Sequence, residues 1–576
     1  MMALRSPKGA LIAFVGICAL AVGVIHVAVI SKDKADTASA KRHMAVTANP
    51  LASEAAREIL RQGGSAVDAA IAAQLVLTLV EPQSSGIGGG LFLIASDAKG
   101  NMRSYDGREA APASVTPGMF LLKDGKPRTF DDAATGGLAV GVPGAIAALE
   151  LAHRRYGKLP WAKLFDPAIR LAESGFEVSR LVAHAIEELD PATLGPDMRN
   201  FYFRPDGAPL PAGYRLRDPQ FAITLRHIAA NGSAGFYEGP IAEAIVAAVR
   251  KARRNPGGMQ LADLRSYQAR ESAPVCGPYR AFKVCTVDAP SGGVTVLQIL
   301  GMLRWAPSEV LKPGTLSRVH YTTQASRLAY ADRAQWLGDP AMVPVPTAGL
   351  LDAPYLVSRG QMINPSRDMG EAVAGSPRNP AKVMYAPHRT PVYHGTSHLS
   401  VVDGEGNVAS MTMSIQASFG AQIRVAGFVL NNELTDFSWE AERDGLPIAN
   451  APAPGKRPLS AMSPSIVFDK DGKFFAAIGS PGGRDIIAYN AQALSALIDG
   501  GVSISQAVSE AHFTNLNSET VLEASTSLIW LAPQLMLSGH RVRFRTLDSG
   551  LNGIRKVAGG YQGASDVRGE GAAVGD

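Results

Sequence analysis

The sequence predicts an α/β protein, on the strength of three stretches. Residues 50–60 and the run SAVDAAIAAQLVLTLVEP (65–82) show the alanine-rich, closely spaced apolar pattern of helices. SSGIGGGLFLIA (84–95) passes from a glycine-dense loop into a strand. LSVVD and VASMTMSI (399–403 and 408–415) are β-rich runs joined by DGEGN, a hairpin turn. At 576 residues the chain can bury a large core, as one big α/β unit or as two or three ordinary domains.

Taken in order, the elements begin with an apolar stretch at residues 10–30, preceded by Arg5 and Lys8 and followed by Lys32 and Lys34. A membrane-spanning helix needs roughly 20 such residues, whereas the apolar part of a signal peptide runs to about 7–15. An uncleaved signal anchor fits better than a signal peptide cleaved near Ala38-Ser39-Ala40, and either reading sends the chain out of the cytoplasm. The first helix ends at Gly63-Gly64. The second is apolar almost all round, which requires burial on every side, and Pro82 stops it. The glycines at 88–90 do not form a phosphate loop, because no Lys-Ser/Thr follows and the order is helix to strand; they read as close backbone packing. IAEAIVAAVRKA and the region of HYTTQASRLAYADRAQWLGDP carry helical spacing. Residues 369–395 are proline-rich and aperiodic, a flexible lead-in to the strand-rich end. Arg541, Arg543 and Arg545 alternate like the wet face of a strand.

Composition excludes several classes of function. A net charge of +5 is spread among similar numbers of acids, with no aromatic-interleaved basic patch for nucleic acid. No Cys-rich or HExxH metal pattern exists; His394 and His398, at a strand entrance, share no ligand face, so neither a metal nor a cofactor is expected. Ser480 in IGSPGG does not match a nucleophile elbow. Cys276 and Cys285 in VCGPYRAFKVC face one another if Arg280-Ala281 is a two-residue turn, and a disulfide suits an exported chain; two reduced strand cysteines are the other reading.

The chemistry suspect is Thr396. Gly395-Thr396-Ser397 places a glycine and two hydroxyls at a strand entrance where apolar residues would pack better. A threonine freed at its amino end carries its own base, since the α-amine can take the proton from Oγ. Freeing it means cutting after Gly395, whose carbonyl is little shielded.

HGTSHLSVVDGEGNVASMT resembles the start of the small subunit in the gamma-glutamyltranspeptidase family, whose precursors cleave themselves before such a threonine. GGSAVDAAIAAQLVLTLVEPQSSGIGGG, GFVLNNELTDFS, KRPLSAMSPSIV, GSPGGRD and GASDVRGEG resemble family motifs in the expected order, from about Ala45 onward. The resemblance implies an N-terminal-nucleophile hydrolase fold, a four-layer αββα sandwich. It implies residues 1–40 as signal anchor or signal peptide, 41–395 as a large subunit and 396–576 as a small one, joined as a heterodimer. It makes Thr396 the nucleophile, Ser414 the hydroxyl that holds it, and Gly482 and Gly483 the oxyanion-binding pair. Arg108 and Ser460 would hold the donor's α-carboxylate, and Glu433, Asp436 and Gln416 its α-ammonium.

Two positions depart from the family pattern. The usual pair of serines after KRPL is Ser460-Ala461 here, and Gln416 stands where asparagine is usual. The expected activity is attack on a γ-glutamyl amide, such as glutathione, with transfer to water or an amino acid, outside the cytoplasm. An acylase for other amides, such as β-lactam side chains, and an unprocessed binding protein are the alternatives.

Overall fold

A computed structural model describes residues 35–380, 383–388 and 395–576. The apolar stretch 10–30, Cys18 and His394 lie outside the described residues. Among the described residues no helix is long and apolar enough to cross a membrane.

The β-rich runs pair into two seven-stranded sheets. The first has the order Ala572–Gly575, Met44–Thr47, Thr396–Val402, Val408–Ser414, Gly90–Ser96, Met102–Gly107, Arg270–Ser272. The second has the order Asp36–Ala40, Gly560–Ser565, Asn552–Val557, Phe474–Gly479, Ser465–Phe468, Phe282–Thr286, Val275–Tyr279. Every neighbouring pair in both sheets is antiparallel. Each sheet takes strands from both sides of Gly395.

Alternation along the strands sets the layers, because successive side chains point to opposite faces. Phe92, Ile94 and Val402 of the first sheet meet Ile466, Ala477 and Ile554 of the second in the core between the sheets. Leu91, Leu93, Leu399 and Val401 face the other way, into a core with the helices Pro50–Arg61, Ala66–Val80 and Ala145–Tyr156. Behind the second sheet, Val467, Ala476 and Ile478 pack on the helices Gly293–Leu303, Leu316–Trp336 and Ile486–Ile498. The result is helix, sheet, sheet, helix, and strands buried on both faces explain the unbroken apolar runs.

Local choices agree with this plan. Ala66–Val80 starts at a capping box, with Ser65 and Asp68 each accepting the other's backbone N–H, and all of its residues are buried between sheet and outer helices. The hairpin at 275–286 pairs Cys276 directly with Cys285 and a disulfide joins them; Arg280 in its turn has φ 54°. Val542–Arg545 is a strand of a separate three-stranded sheet, with Arg543 exposed.

The helical spacing around residues 320–340 is met by the helix Leu316–Trp336, in which Arg318, Arg327, Asp332 and Arg333 are buried as well. One expectation is corrected. The lead-in lacks regular structure at 369–380 and 383–388, but around residues 372–375 it is tied down rather than free. Gly375 donates to Asp332 and accepts from Trp336, and Asn517 holds Ala372 at both backbone groups.

Candidate active site

Thr396 opens a central strand of the first sheet, and its side chain shares a face with His398 and Ser400, toward the second sheet. Directly opposite it in register is Ser414. The Thr396 hydroxyl donates to Ser414 Oγ at 3.2 Å, and Ser414 Oγ donates to the Gly395 carbonyl oxygen at 2.7 Å. Ser414 Oγ also accepts from the Gln416 backbone N–H at 2.8 Å. One hydroxyl thus links the Thr396 side chain to the carbonyl on its own amino side. The glycine loop makes room for it: a Cβ on Gly89 would lie 2.1 Å from the Ser414 carbonyl oxygen, and one on Gly88 the same distance from that of Val429.

Behind Thr396, His398 is buried between Thr412 Oγ1 at 2.8 Å and Ser400 Oγ at 3.1 Å. Burial holds its imidazole down at about 3, so it is neutral and structural. Thr396 borders two spaces. On one side is a pocket of about 60 Å³, shared with Ser414, Gln416, Glu433, Asp436 and Ser460. On the other is a cavity of about 710 Å³ bordered by Gly395, Gly482 and Glu81. Burial pushes the Glu81 carboxyl up to about 8.

The charged wall of the small pocket is organised by Arg108, which is fully buried at the end of the strand Met102–Gly107. Its guanidinium donates to Asp436 at 2.6 Å, to Glu433, to Glu109 at 3.4 Å, and to the carbonyls of Pro458 and Leu459. Glu433 and Asp436 lie on one 3-10 turn. Asn431 fixes that turn by donating to Gly88 and Gly141 and accepting from the Glu433 N–H, and Asn432 accepts from Ala417. Burial lifts the Glu433 carboxyl to about 7 against the pull of Arg108. Gln416 donates weakly to Asp436 at 3.4 Å; its φ of 80° lies in the left-handed region, where asparagine is easier to accommodate.

Ser460 is held at three points: its N–H donates to Pro290, its carbonyl accepts from Arg333 at 2.8 Å, and its Oγ accepts from the Met462 N–H. Gly482 and Gly483 have φ of 126° and 56°. A Cβ at 482 would stand 2.5 Å from the Tyr489 ring, so the tight turn requires glycine. The helix Ile486–Ile498 starts just beyond, with its positive end toward this turn. Asp485 occupies the N-cap position but does not cap; its carboxylate pairs with Arg545 instead.

The structure therefore brings Thr396, Ser414, Gln416, Glu433, Asp436, Ser460 and Gly483 to one pocket, with Gly482 on the far side of Thr396 and Arg108 behind the acids. Sequence reasoning missed Asn431, Asn432, Glu109 and Arg333. Glu109 adjoins Arg108 and Asn432 adjoins Glu433, so the doubled asparagine before Glu433 was a usable signal.

Two stacked antiparallel sheets between helix layers, with a threonine opening a central strand, define the N-terminal-nucleophile hydrolase class. The gamma-glutamyltranspeptidase model matches residues 52–576, and the chain belongs to that family. It is 36% identical to a glutathione hydrolase proenzyme of Bacillus subtilis (strain 168), over 93% of this chain and 92% of that one. It is 33% identical to the acylase ACY 1 proenzyme of Pseudomonas sp. (strain SE83), over 93% and 94% of the two chains. The structure of a cephalosporin acylase from Bacillus halodurans superposes with a TM-score of 0.82 at 25% identity, covering 95% of this chain and 98% of the other.

Proposed function

We propose that the chain cuts itself between Gly395 and Thr396 and then transfers γ-glutamyl groups from amides such as glutathione to water or an amino acid. The observation that carries this is the hydroxyl pair at the cut site, with Ser414 donating to the Gly395 carbonyl while accepting from Thr396. Thr396 Oγ attacks the Gly395 carbonyl carbon, and the negative charge that develops on oxygen is met by the Ser414 O–H. The C–N bond breaks as nitrogen takes the proton, leaving an ester on Oγ and a free Thr396 amine; water then hydrolyses the ester. In the mature site that amine takes the Oγ proton, Oγ attacks the donor amide, and the amine returns the proton to the leaving nitrogen. Gly482 and Gly483 would supply N–H donors to the oxyanion, while Ser460, Arg108, Glu433, Asp436 and Gln416 would recognise the donor's amino-acid end.

Residues 41–395 and 396–576 would then be the two subunits of a heterodimer, and strands drawn by both sheets from both pieces support their staying together. Of residues 1–40, the part before Asp36 would export the chain to the periplasm or another extracytoplasmic site. Asp36–Ala40 is instead a strand of the second sheet, and cleavage near Ala38-Ser39-Ala40 would remove it, which favours the uncleaved anchor. A second reading, acylase activity on other amides, is favoured by Ala461, which borders the pocket without the hydroxyl usual in the family. Denaturing gels and N-terminal sequencing test the central claim. Wild type should give two chains, the shorter beginning at Thr396, and Thr396→Ala one inactive chain; an alanine variant still cut at this bond would sink the autocatalytic account.

A further inference from the structure

The turn that holds Gly482 and Gly483 carries a charge of the wrong sign for its proposed task. Gly483–Asp485 is a single 3-10 turn, so the Asp485 carboxylate follows the two glycines closely, and Asp485 is fully buried. One of its oxygens pairs with Arg545 Nη2, and the other has no hydrogen-bond partner. Among the described residues Arg545 is the only ion-pair partner of Asp485. A carboxylate beside this turn repels the negative charge that grows on the attacked oxygen, and burial reduces the screening that water would give.

Arg545 comes from the edge strand Val542–Arg545 of the three-stranded sheet, 60 residues further along the chain. Arg541 and Arg543, which alternate with it, are exposed, whereas Arg545 is half-buried and turned onto Asp485. The turn keeps its shape by other contacts. The Tyr330 hydroxyl donates to the Arg484 carbonyl at 2.5 Å, the Asp485 N–H donates to the Gly482 carbonyl at 3.2 Å, and the Tyr489 ring lies against Gly482. Arg333 and Arg484 also border the small pocket, with Glu433 and Asp436, and the variants below leave all four unchanged.

We propose that Arg545 is a positioning residue for the reaction: it neutralises Asp485, so that the Gly482 and Gly483 N–H groups meet the oxyanion without a competing anion behind them. Arg545 touches no reacting atom and acts only through Asp485. The inference rests on Gly482 and Gly483 as the oxyanion donors proposed above. What matters is then the charge of the pair, and not merely the link it makes between sheet and turn.

Hydrolysis of a γ-glutamyl anilide is measured for Arg545→Met, Asp485→Asn and the double variant, each after denaturing gels show the cut chains. Arg545→Met should lower kcat about tenfold or more with KM unchanged. Asp485→Asn should hold kcat at or above the wild-type value, and the double variant should return to within about twofold of it. A pair that only ties the sheet to the turn predicts the opposite: Asp485→Asn losing as much as Arg545→Met, with no recovery in the double variant. That result, or an unchanged kcat in Arg545→Met, overturns the proposal. If Arg545→Met does not mature, Asp485→Asn alone decides, by keeping or losing kcat. Butylboronic acid gives a reading without turnover: the Thr396 oxygen bonds to boron, its proton passes to the Thr396 amine, and the adduct is a tetrahedral anion. Its affinity should fall in Arg545→Met and recover in the double variant, with butyramide indifferent to both. Equal boronate affinity in wild type and all variants overturns this inference alone. A wild type that is cut after Gly395 yet neither binds the boronate nor hydrolyses the anilide counts against the proposed function, and this inference falls with it.

Discussion

Removing the Ser414 hydroxyl perturbs the proposed self-cleavage site most directly. Ser414 Oγ donates to the Gly395 carbonyl at 2.7 Å, accepts from Thr396 at 3.2 Å and accepts from the Gln416 N–H at 2.8 Å. In Ser414→Ala the carbonyl under attack loses the donor that meets its growing negative charge. Losing one such donor typically slows a reaction by about 10²–10³, or roughly 2.7–4 kcal/mol of barrier. The Gln416 N–H is also left unpaired at a buried position, which costs about 1–3 kcal/mol of stability. Ser414→Thr keeps the hydroxyl and should retain most of the rate. The assay follows conversion of the intact chain to two fragments on denaturing gels after purification from a short expression. Cutting of Ser414→Ala at close to the wild-type rate would show that the Ser414–Gly395 contact plays no part in bond cleavage.

Three further outcomes are expected. Ala461→Ser should lower KM for γ-glutamyl donors several-fold with little change in kcat, because ground and transition states share the contact; steady-state kinetics decide it. The Glu433 carboxyl is raised to about 7, so it is neutral in acid and ionised above neutrality, and ammonium recognition should strengthen as pH rises through 7. The ratio of KM for glutaryl to γ-glutamyl anilide reads this effect with the Thr396 amine cancelled, and Glu433→Gln should flatten it. The same shift works against stability: the contribution is intact below the unfolded value of 4.5 and is lost as pH rises toward 7, so Glu433→Gln should gain relative stability above pH 7 in denaturant melts. Reducing Cys276–Cys285, whose sequence separation is 9, should cost about 2–3 kcal/mol in guanidinium unfolding, with both thiols alkylated only after reduction.

Much of the framework was legible because its signals are local. The small apolar run after Ser65, the DGEGN turn and the two-residue turn at Arg280-Ala281 each lie within a few residues of the element they define. Ser414 was tied to Thr396 through the family resemblance, and the hairpin register sets the two directly opposite. Sheet order was not legible, since Met44–Thr47 lies beside Thr396–Val402 only because distant strands share one core. Arg333 escaped notice for a related reason. In the sequence it is one cation in a helix of mixed composition, and its inward direction depends on the Ser460 loop, which comes from a remote part of the chain.

The sharing of both sheets between the segments before and after Gly395 bears on how long the protein lasts. As an uncut precursor it can fold, open and refold as one molecule. Once cut, each sheet is stitched from two chains, and recovery from full unfolding becomes a bimolecular search in which both partners carry exposed strand edges. The native state would then persist by the height of its unfolding barrier rather than by a reversible balance. Self-cleavage after Gly395 would work as a one-way latch, arming the nucleophile and discarding the route back. Heating and cooling should restore the uncut Thr396→Ala chain far better than the wild type.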